Sequence, residues 1–197
     1  MKRGLKRARL VGAYYASWIV FGSVSLVLNM GCIVLIALRG GKRYRGAVRR
    51  IIRRLFNAWV TWLHASRLLT IEWRHFGEAE LPAGTVYIAN HPMLIDATIL
   101  LARLPDAVCI FKPSLMRNPA VGPAAIMAGY VRGDAGLDLI RAAAACVADG
   151  QSLLIFPEGT RTAAGSALGH MKPGFALIAD RAKAPVRLIV VQTTPGL

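Results

Sequence analysis

Residues 85–101 read TVYIANHPMLIDATILL, and the fold turns on how this stretch divides. Positions 85–89 are an apolar, partly β-branched run, the signature of a strand buried on both faces of a sheet. Asn90, His91 and Pro92 interrupt it. Positions 93–101 are apolar again, with Asp96 as their one charge. They read as a helix with Pro92 at its first position, where a missing N–H costs nothing. His91 therefore falls in a strand-to-helix turn, a frequent place for catalytic groups. Asp96 lies five residues on, which on one regular helix would set the two side chains about 140° apart. They meet if His91 sits off the helical path, and a proline displaces the residue before it from the α region.

Two readings of this pair are open. A neutral histidine held by a carboxylate through one ring nitrogen is a prepared general base, two members of a triad. No Gly-x-Ser-x-Gly and no cysteine in such a turn supplies a nucleophile, so the base would act directly on a substrate hydroxyl. The plainer reading is a turn histidine that caps a helix, with Asp96 on the solvent side.

Further along, strands are expected at 71–76, 107–111, 129–131, 152–156 and 186–191. Helices are expected at 137–148 and 174–182, with short helices inside the Pro/Gly-punctuated segment 113–128. Alternating strands and helices define an α/β class with a mixed, largely parallel sheet flanked by helices. His91, Lys112 and Glu158 each follow a strand, so they share the carboxyl rim where such sheets bind ligands.

Charge divides the chain. Its net charge is +15 with 55% hydrophobic residues and a mean hydropathy of +0.45. Residues 1–71 hold fourteen Lys and Arg and no acid, while the rest is nearly neutral. Positions 10–38 run 29 residues without a charge. That is long enough to cross a bilayer and too long for a signal peptide's apolar region. Gly22, Asn29 and Gly31 offer the alternative of a broken, re-entrant hairpin. After a hinge at Gly40-Gly41, positions 47–70 have apolar residues at helical spacing opposite Arg49, Arg50, Arg53 and Arg54. This predicts either an interfacial helix, with arginines at lipid headgroups and Trp59 and Trp62 at the apolar boundary, or a charged face above a helix packed on the domain. Basic charge beside a long apolar run favours anionic lipid over nucleic acid as partner. Cys32, Cys109 and Cys146 lie in apolar runs and read as free buried thiols. No Cys/His spacing suggests a metal. His64 receives no chemical role.

The second motif is Phe156-Pro157-Glu158-Gly159-Thr160-Arg161-Thr162. Gly159 permits close backbone approach, Arg161 offers a fork suited to phosphate, and Thr160 adds a donor. Alone, the loop is an anion-binding turn or a surface Arg–Glu pair. Together, NHPMLID and FPEGTRT resemble the glycerolipid acyltransferase family, in particular the 1-acylglycerol-3-phosphate (lysophosphatidic acid) acyltransferases. The resemblance covers about 70–195 and includes Lys112, the Pro119/Gly122 segment, and Lys172 in MKPGFALIA. It implies transfer of a fatty acyl group from an acyl-carrier-protein or coenzyme A thioester to a lysophospholipid hydroxyl. His91 would be the base, Asp96 its orienting partner, and Lys112, Arg132, Glu158, Gly159, Thr160, Arg161 and Lys172 the substrate-binding set. No metal or other cofactor is implied.

Residues 1–70 would be the membrane-docking element, and 71–197 an acyltransferase domain lacking its C-terminal end, at the cytoplasmic face of the inner membrane. Three positions depart from the family pattern. Ala135 stands where a basic residue follows Gly129 by six, leaving Arg132 as a displaced candidate. Ser114 replaces an acidic residue, and Leu188 replaces the second proline of a V-P-x-x-P run. These bear on the acceptor, so a specialised lipid acceptor is the alternative. A non-catalytic membrane protein that keeps the fold is the other, disfavoured by two intact motifs.

Overall fold

The computed structural model describes residues 2–38, 41–77, 81–163, 166 and 168–194. Two helices open the chain, α1 (Lys2–Ala37) and α2 (Arg45–Ala65), with a 3-10 turn at Lys42–Tyr44 before the second. There follow β1 (Val86–Ala89), α3 (Asp96–Arg103), β2 (Ala107–Phe111), α4 (Pro113–Met116), α5 (Gly122–Ala128) and β3 (Val131–Arg132). The chain continues with α6 (Leu137–Ala148), β4 (Ser152–Ile155), α7 (Gly174–Ala182) and β5 (Val186–Ile189). The strands make one sheet in the order β3-β2-β4-β1-β5. Every pairing is parallel, so the antiparallel admixture of a mixed sheet is absent among the described strands.

β1 and β4 are buried at every position, which is why both read as unbroken apolar runs. Val86, Ile88, Leu153 and Ile155 face α6 and α7, where Ala143, Ala144 and Ala179 allow close helix approach. Tyr87, Ala89, Cys109 and Leu154 face α3 through Leu100, Leu101 and Leu104. Outside α3, Trp59, Val60 and Leu63 of α2 pack on Ile99 and Ala102.

Four expectations change. Positions 71–76 form no strand. Trp73 and Phe76 pack their rings 4.9 Å apart against the core, so the apolar residues at 71, 73 and 76 serve side-chain packing and not backbone pairing. The helix after His91 begins at Asp96 instead of Pro92. The Asp96 carboxylate accepts the Met93 N–H at 2.7 Å, which holds 91–95 as a turn with Pro92 inside it. α1 is unbroken through Gly22, Asn29 and Gly31.

The fourth change concerns α2. Arg49 is 8% exposed. It donates from Nε and Nη2 to Asp106 at 2.7 and 3.0 Å, and from Nη1 to the Ala128 carbonyl at 3.0 Å. Trp59 is buried, its ring 4.5 Å from Phe21 and its Nε1 donating to the Ser17 carbonyl at 3.2 Å. Neither residue reaches a headgroup. The apolar face of α2 is covered by α3, α5 and α1. Arg43, Arg50, Arg53 and Arg54 remain exposed, as does Trp62. Of the expected Gly40-Gly41 hinge, Gly40 lies outside the described residues. His64 accepts the Ile71 N–H through Nδ1 at 3.3 Å.

α1 joins the domain by polar contacts as well as apolar ones. Ser25 Oγ and Asn29 Nδ2 both donate to the Ala120 carbonyl, at 2.9 and 2.7 Å, and Asn29 Oδ1 accepts the Ala124 N–H at 2.9 Å. Asn29 thereby satisfies a first-turn amide of α5, one of the groups a helix cannot satisfy itself.

Candidate active site

His91 leaves β1 and its Nδ1 lies 2.9 Å from Asp96 Oδ2. The Asp96 side chain is fully buried and that of His91 is 20% exposed. Asp96 stands at the first residue of α3, where the helix dipole favours a carboxylate. With Nδ1–H engaged by this carboxylate, Nε2 is the basic, outward nitrogen. The plainer reading of a capping histidine and a solvent-facing aspartate does not survive this geometry.

Two residues outside the expected set complete the arrangement. The Phe156 ring stacks on the imidazole at 4.3 Å with 23° between planes, fixing the ring from the loop that follows β4. Thr162 grips the His91 peptide on both sides. Its Oγ1 accepts the His91 N–H at 3.0 Å, and its own N–H donates to the His91 carbonyl at 2.9 Å. The Thr162 hydroxyl donates onward to Glu158 Oε1 at 2.8 Å. That oxygen is also 3.4 Å from the His91 nitrogen. Glu158 is 7% exposed, and a β-carbon at Gly169 would collide with its Oε2. Both Phe156 and Thr162 belong to the FPEGTRT motif, but their direction toward His91 depends on the β4–β1 pairing, which local sequence does not display.

The other expected residues distribute along the rim. Gly159 has φ +68°, and Lys172 Nζ lies 3.3 Å from where its β-carbon would stand, so a side chain there would be strained and would displace the lysine. The Lys172 N–H donates to the Pro157 carbonyl at 3.0 Å, tying that lysine to the loop. Thr160 and Arg161 are exposed on the same loop. Lys112 caps α4 at the end of β2, two strands from His91 or about 10 Å at strand spacing. Arg132 ends β3, one strand further. It pairs with Asp134 at 3.1 and 2.9 Å, and this hydrogen bond lowers the Asp134 carboxyl below its usual range. The structure thus gathers His91, Asp96, Glu158, Gly159 and Lys172, and leaves Lys112 and Arg132 further along the rim.

The cysteines stay away from this centre. Cys109 lies within β2, and burial pushes its thiol up to about 12. Burial also raises the Cys146 thiol on α6. A thiol held protonated is a poor nucleophile.

An oriented imidazole at the carboxyl rim of a parallel sheet, beside a loop that carries Arg161 and Lys172, defines an α/β protein equipped for base-assisted chemistry. The chain belongs to the Acyltransferase family, whose description matches residues 74–192. It is 29% identical over 182 residues to a 1-acyl-sn-glycerol-3-phosphate acyltransferase of Cocos nucifera, covering 86% of this chain and 54% of that one. It is 33% identical over 114 residues to the chloroplastic 1-acyl-sn-glycerol-3-phosphate acyltransferase BAT2 of Brassica napus, covering 55% of this chain and 33% of that one. The chain therefore spans about half the length, or less, of these curated relatives. The crystal structure of the 1-acyl-sn-glycerophosphate acyltransferase PlsC from Thermotoga maritima superposes with a TM-score of 0.66 over 94% of this chain and 73% of that one. At 20% identity that likeness concerns the fold alone.

Proposed function

We propose that this chain is an O-acyltransferase that moves a fatty acyl group from an acyl-carrier-protein or coenzyme A thioester to the free hydroxyl of lysophosphatidic acid or a related lysolipid. The observation that carries the reading is the buried Asp96 carboxylate 2.9 Å from His91 Nδ1, with Nε2 turned outward. His91 Nε2 takes the hydroxyl proton as the oxygen attacks the thioester carbonyl. Collapse of the tetrahedral adduct forms the ester C–O bond and breaks the C–S bond. The departing thiolate takes the proton from the imidazolium. The scheme balances with the thioester as co-substrate and needs no acyl-enzyme. The names of the relatives support a lysophosphatidate acceptor.

In this proposal Gly159, Thr160, Arg161 and Lys172 hold the acceptor's phosphate. Glu158 braces the loop through Thr162, and Lys112 and Arg132 extend the cationic rim toward the rest of the substrates. Arg161→Ala is expected to raise KM for a phosphate-bearing acceptor about tenfold, the value of one charge-assisted contact. KM for the thioester should change little, and steady-state titration of each substrate checks it. Thr162→Val keeps the side chain's shape and removes its hydroxyl. It is expected to lower kcat about tenfold or more through misplacement of His91, with both KM values nearly unchanged and most activity restored by Thr162→Ser.

Association with the cytoplasmic face of the inner membrane belongs to the same proposal. The 31-residue apolar segment Arg7–Ala37 and the exposed side chains of Ile19, Val20, Val27, Met30 and Val34 support it. We infer further that α1 lies along the membrane and does not cross it. Between Ser17 and Cys32 it packs on α2 and α5, a length of about 22 Å at 1.5 Å per residue. A crossing helix would drag the neighbouring Arg49–Asp106 pair toward a hydrocarbon core about 30 Å thick. The test of the whole reading is incubation of purified protein with a panel of lysolipids and both thioesters, with products read by mass. Absence of ester product with every pair would overturn it.

A further inference from the structure

A cavity lies at the opposite end of the sheet from His91, and the proposed chemistry makes no use of it. It measures about 320 Å3 and opens where β2 begins, between Asp106 and the α2 arginines Arg49, Arg50 and Arg53. Its floor is apolar, formed by Ile52, Leu101 and Leu104. Asp106 is the one carboxylate on its lining, and Arg49 occupies both of its oxygens. Arg53 donates to the Ala102 carbonyl at 3.4 Å. No carboxylate pairs with Arg50 or Arg53 among the described residues. Two guanidiniums thus stand over an apolar floor without a counter-charge. Planar, permanently charged forks of this kind match phosphate oxygens.

The location selects the source of that phosphate. α2 packs against α1, whose outer side is apolar. On α2 itself, Ile51 and Trp62 are 43% and 39% exposed, beside the exposed Arg50, Arg53 and Arg54. The arginines therefore sit where apolar surface gives way to charge, the level of headgroups for a helix lying in an interface. We propose that this cavity is a binding site for the phosphate of an anionic lipid headgroup, separate from the catalytic rim. The proposal rests on the membrane reading given above. It adds a defined socket to what would otherwise be diffuse attraction between a basic helix and an anionic surface.

The test uses the purified full chain and phosphatidylcholine vesicles, with or without about one phosphatidylglycerol in five lipids to supply an anionic surface. Phosphatidylglycerol is chosen because it is not the product proposed for the catalytic site. Removing Arg50 and Arg53 (R50Q/R53Q) or the exposed pair Arg43 and Arg54 (R43Q/R54Q) changes the net charge equally. Diffuse attraction predicts equal losses of the preference for anionic vesicles. A formed socket predicts that R50Q/R53Q loses about tenfold more than R43Q/R54Q, with acyl transfer to a detergent-dispersed acceptor unchanged.

Gly46→Glu provides a second variant that keeps the arginines. A β-carbon there lies 3.5 Å from Arg50 Nη1, so the carboxylate occupies the socket, and an acidic residue suits the first turn of α2. It is expected to abolish the excess preference as fully as R50Q/R53Q. Equal losses from the two double variants, or full preference in Gly46→Glu, would overturn the site. Competition by inorganic phosphate at the lipid's own affinity would overturn the lipid assignment. Wild-type protein that binds neither vesicle would instead overturn the membrane reading beneath it.

Discussion

Replacing His91 with alanine is expected to lower the rate of acyl transfer by about a thousandfold or more, the scale of a lost general base in a triad-like site. The fold should survive. The Asp96 carboxylate keeps the Met93 N–H, and the Thr162 clamp acts on the backbone of residue 91, which alanine retains. Thermal unfolding and vesicle association of the variant are therefore expected to match the parent. Asp96→Asn gives an independent view of the same mechanism. The Met93 N–H and His91 Nδ1 meet the same oxygen, Asp96 Oδ2. An amide NH2 in that place forces the ring proton onto Nε2 and leaves no base toward the hydroxyl, while an amide oxygen there gives the imidazolium no counter-charge. A loss comparable to that of His91→Ala is expected. Steady-state transfer from a thioester to a lysolipid measures both, and full activity in either variant would contradict the proposed step.

How much of this site sequence could reveal follows from the range of each interaction. The turn that carries His91, the partner five residues on, and the loop after β4 are local features, and residue types report them. The same holds for the helices at 137–148 and 174–182, which the structure reproduces as α6 and α7. The β3-β2-β4-β1-β5 order arises from pairing between strands far apart in the chain, and no periodicity records it. Phe156 and Thr162 act on His91 only because β4 lies beside β1. Likewise, the spacing on α2 announced an apolar face and a basic one without naming what covers each. Arg49 looked like its exposed neighbours until Asp106 and the Ala128 carbonyl were brought to it. The strand expected at 71–76 failed for a related reason. Closely spaced apolar residues such as Ile71, Trp73 and Phe76 satisfy a strand or an irregular segment that packs its rings, and the sheet alone decides between them.

The second large effect is expected from deleting residues 1–38. If α1 were a detachable anchor, the remaining domain would be soluble and would unfold as before. The packing argues otherwise. Cys32, Leu28 and Leu35 cover Val48, Ile52, Ala124, Met127 and Ala128, and Phe21 covers Phe56 and Trp59. Full burial of a large apolar side chain stabilises by about 1.5–3 kcal/mol. Phe21, Leu28 and Leu35 are half-buried and Cys32 is buried, so losing the four removes a large part of an ordinary domain's stability of about 5–15 kcal/mol. Deletion also removes Ser25 and Asn29 from the Ala120 carbonyl and the Ala124 N–H. The truncated chain is therefore expected to aggregate, with no cooperative thermal transition in detergent. A soluble truncation with the parent's transition would show that α1 contributes anchoring alone. Asn29→Leu separates the two roles without deletion. It leaves apolar surface for the membrane intact while stranding the Ala124 N–H, at about 1–3 kcal/mol, and leaves the Ala120 carbonyl with Ser25 Oγ alone. Vesicle association is expected to stay at the parent level while Tm falls by about 5–10 °C. An unchanged Tm would mean that the polar contacts between α1 and α5 contribute nothing to the fold, and that α1 and the α/β domain are stable independently.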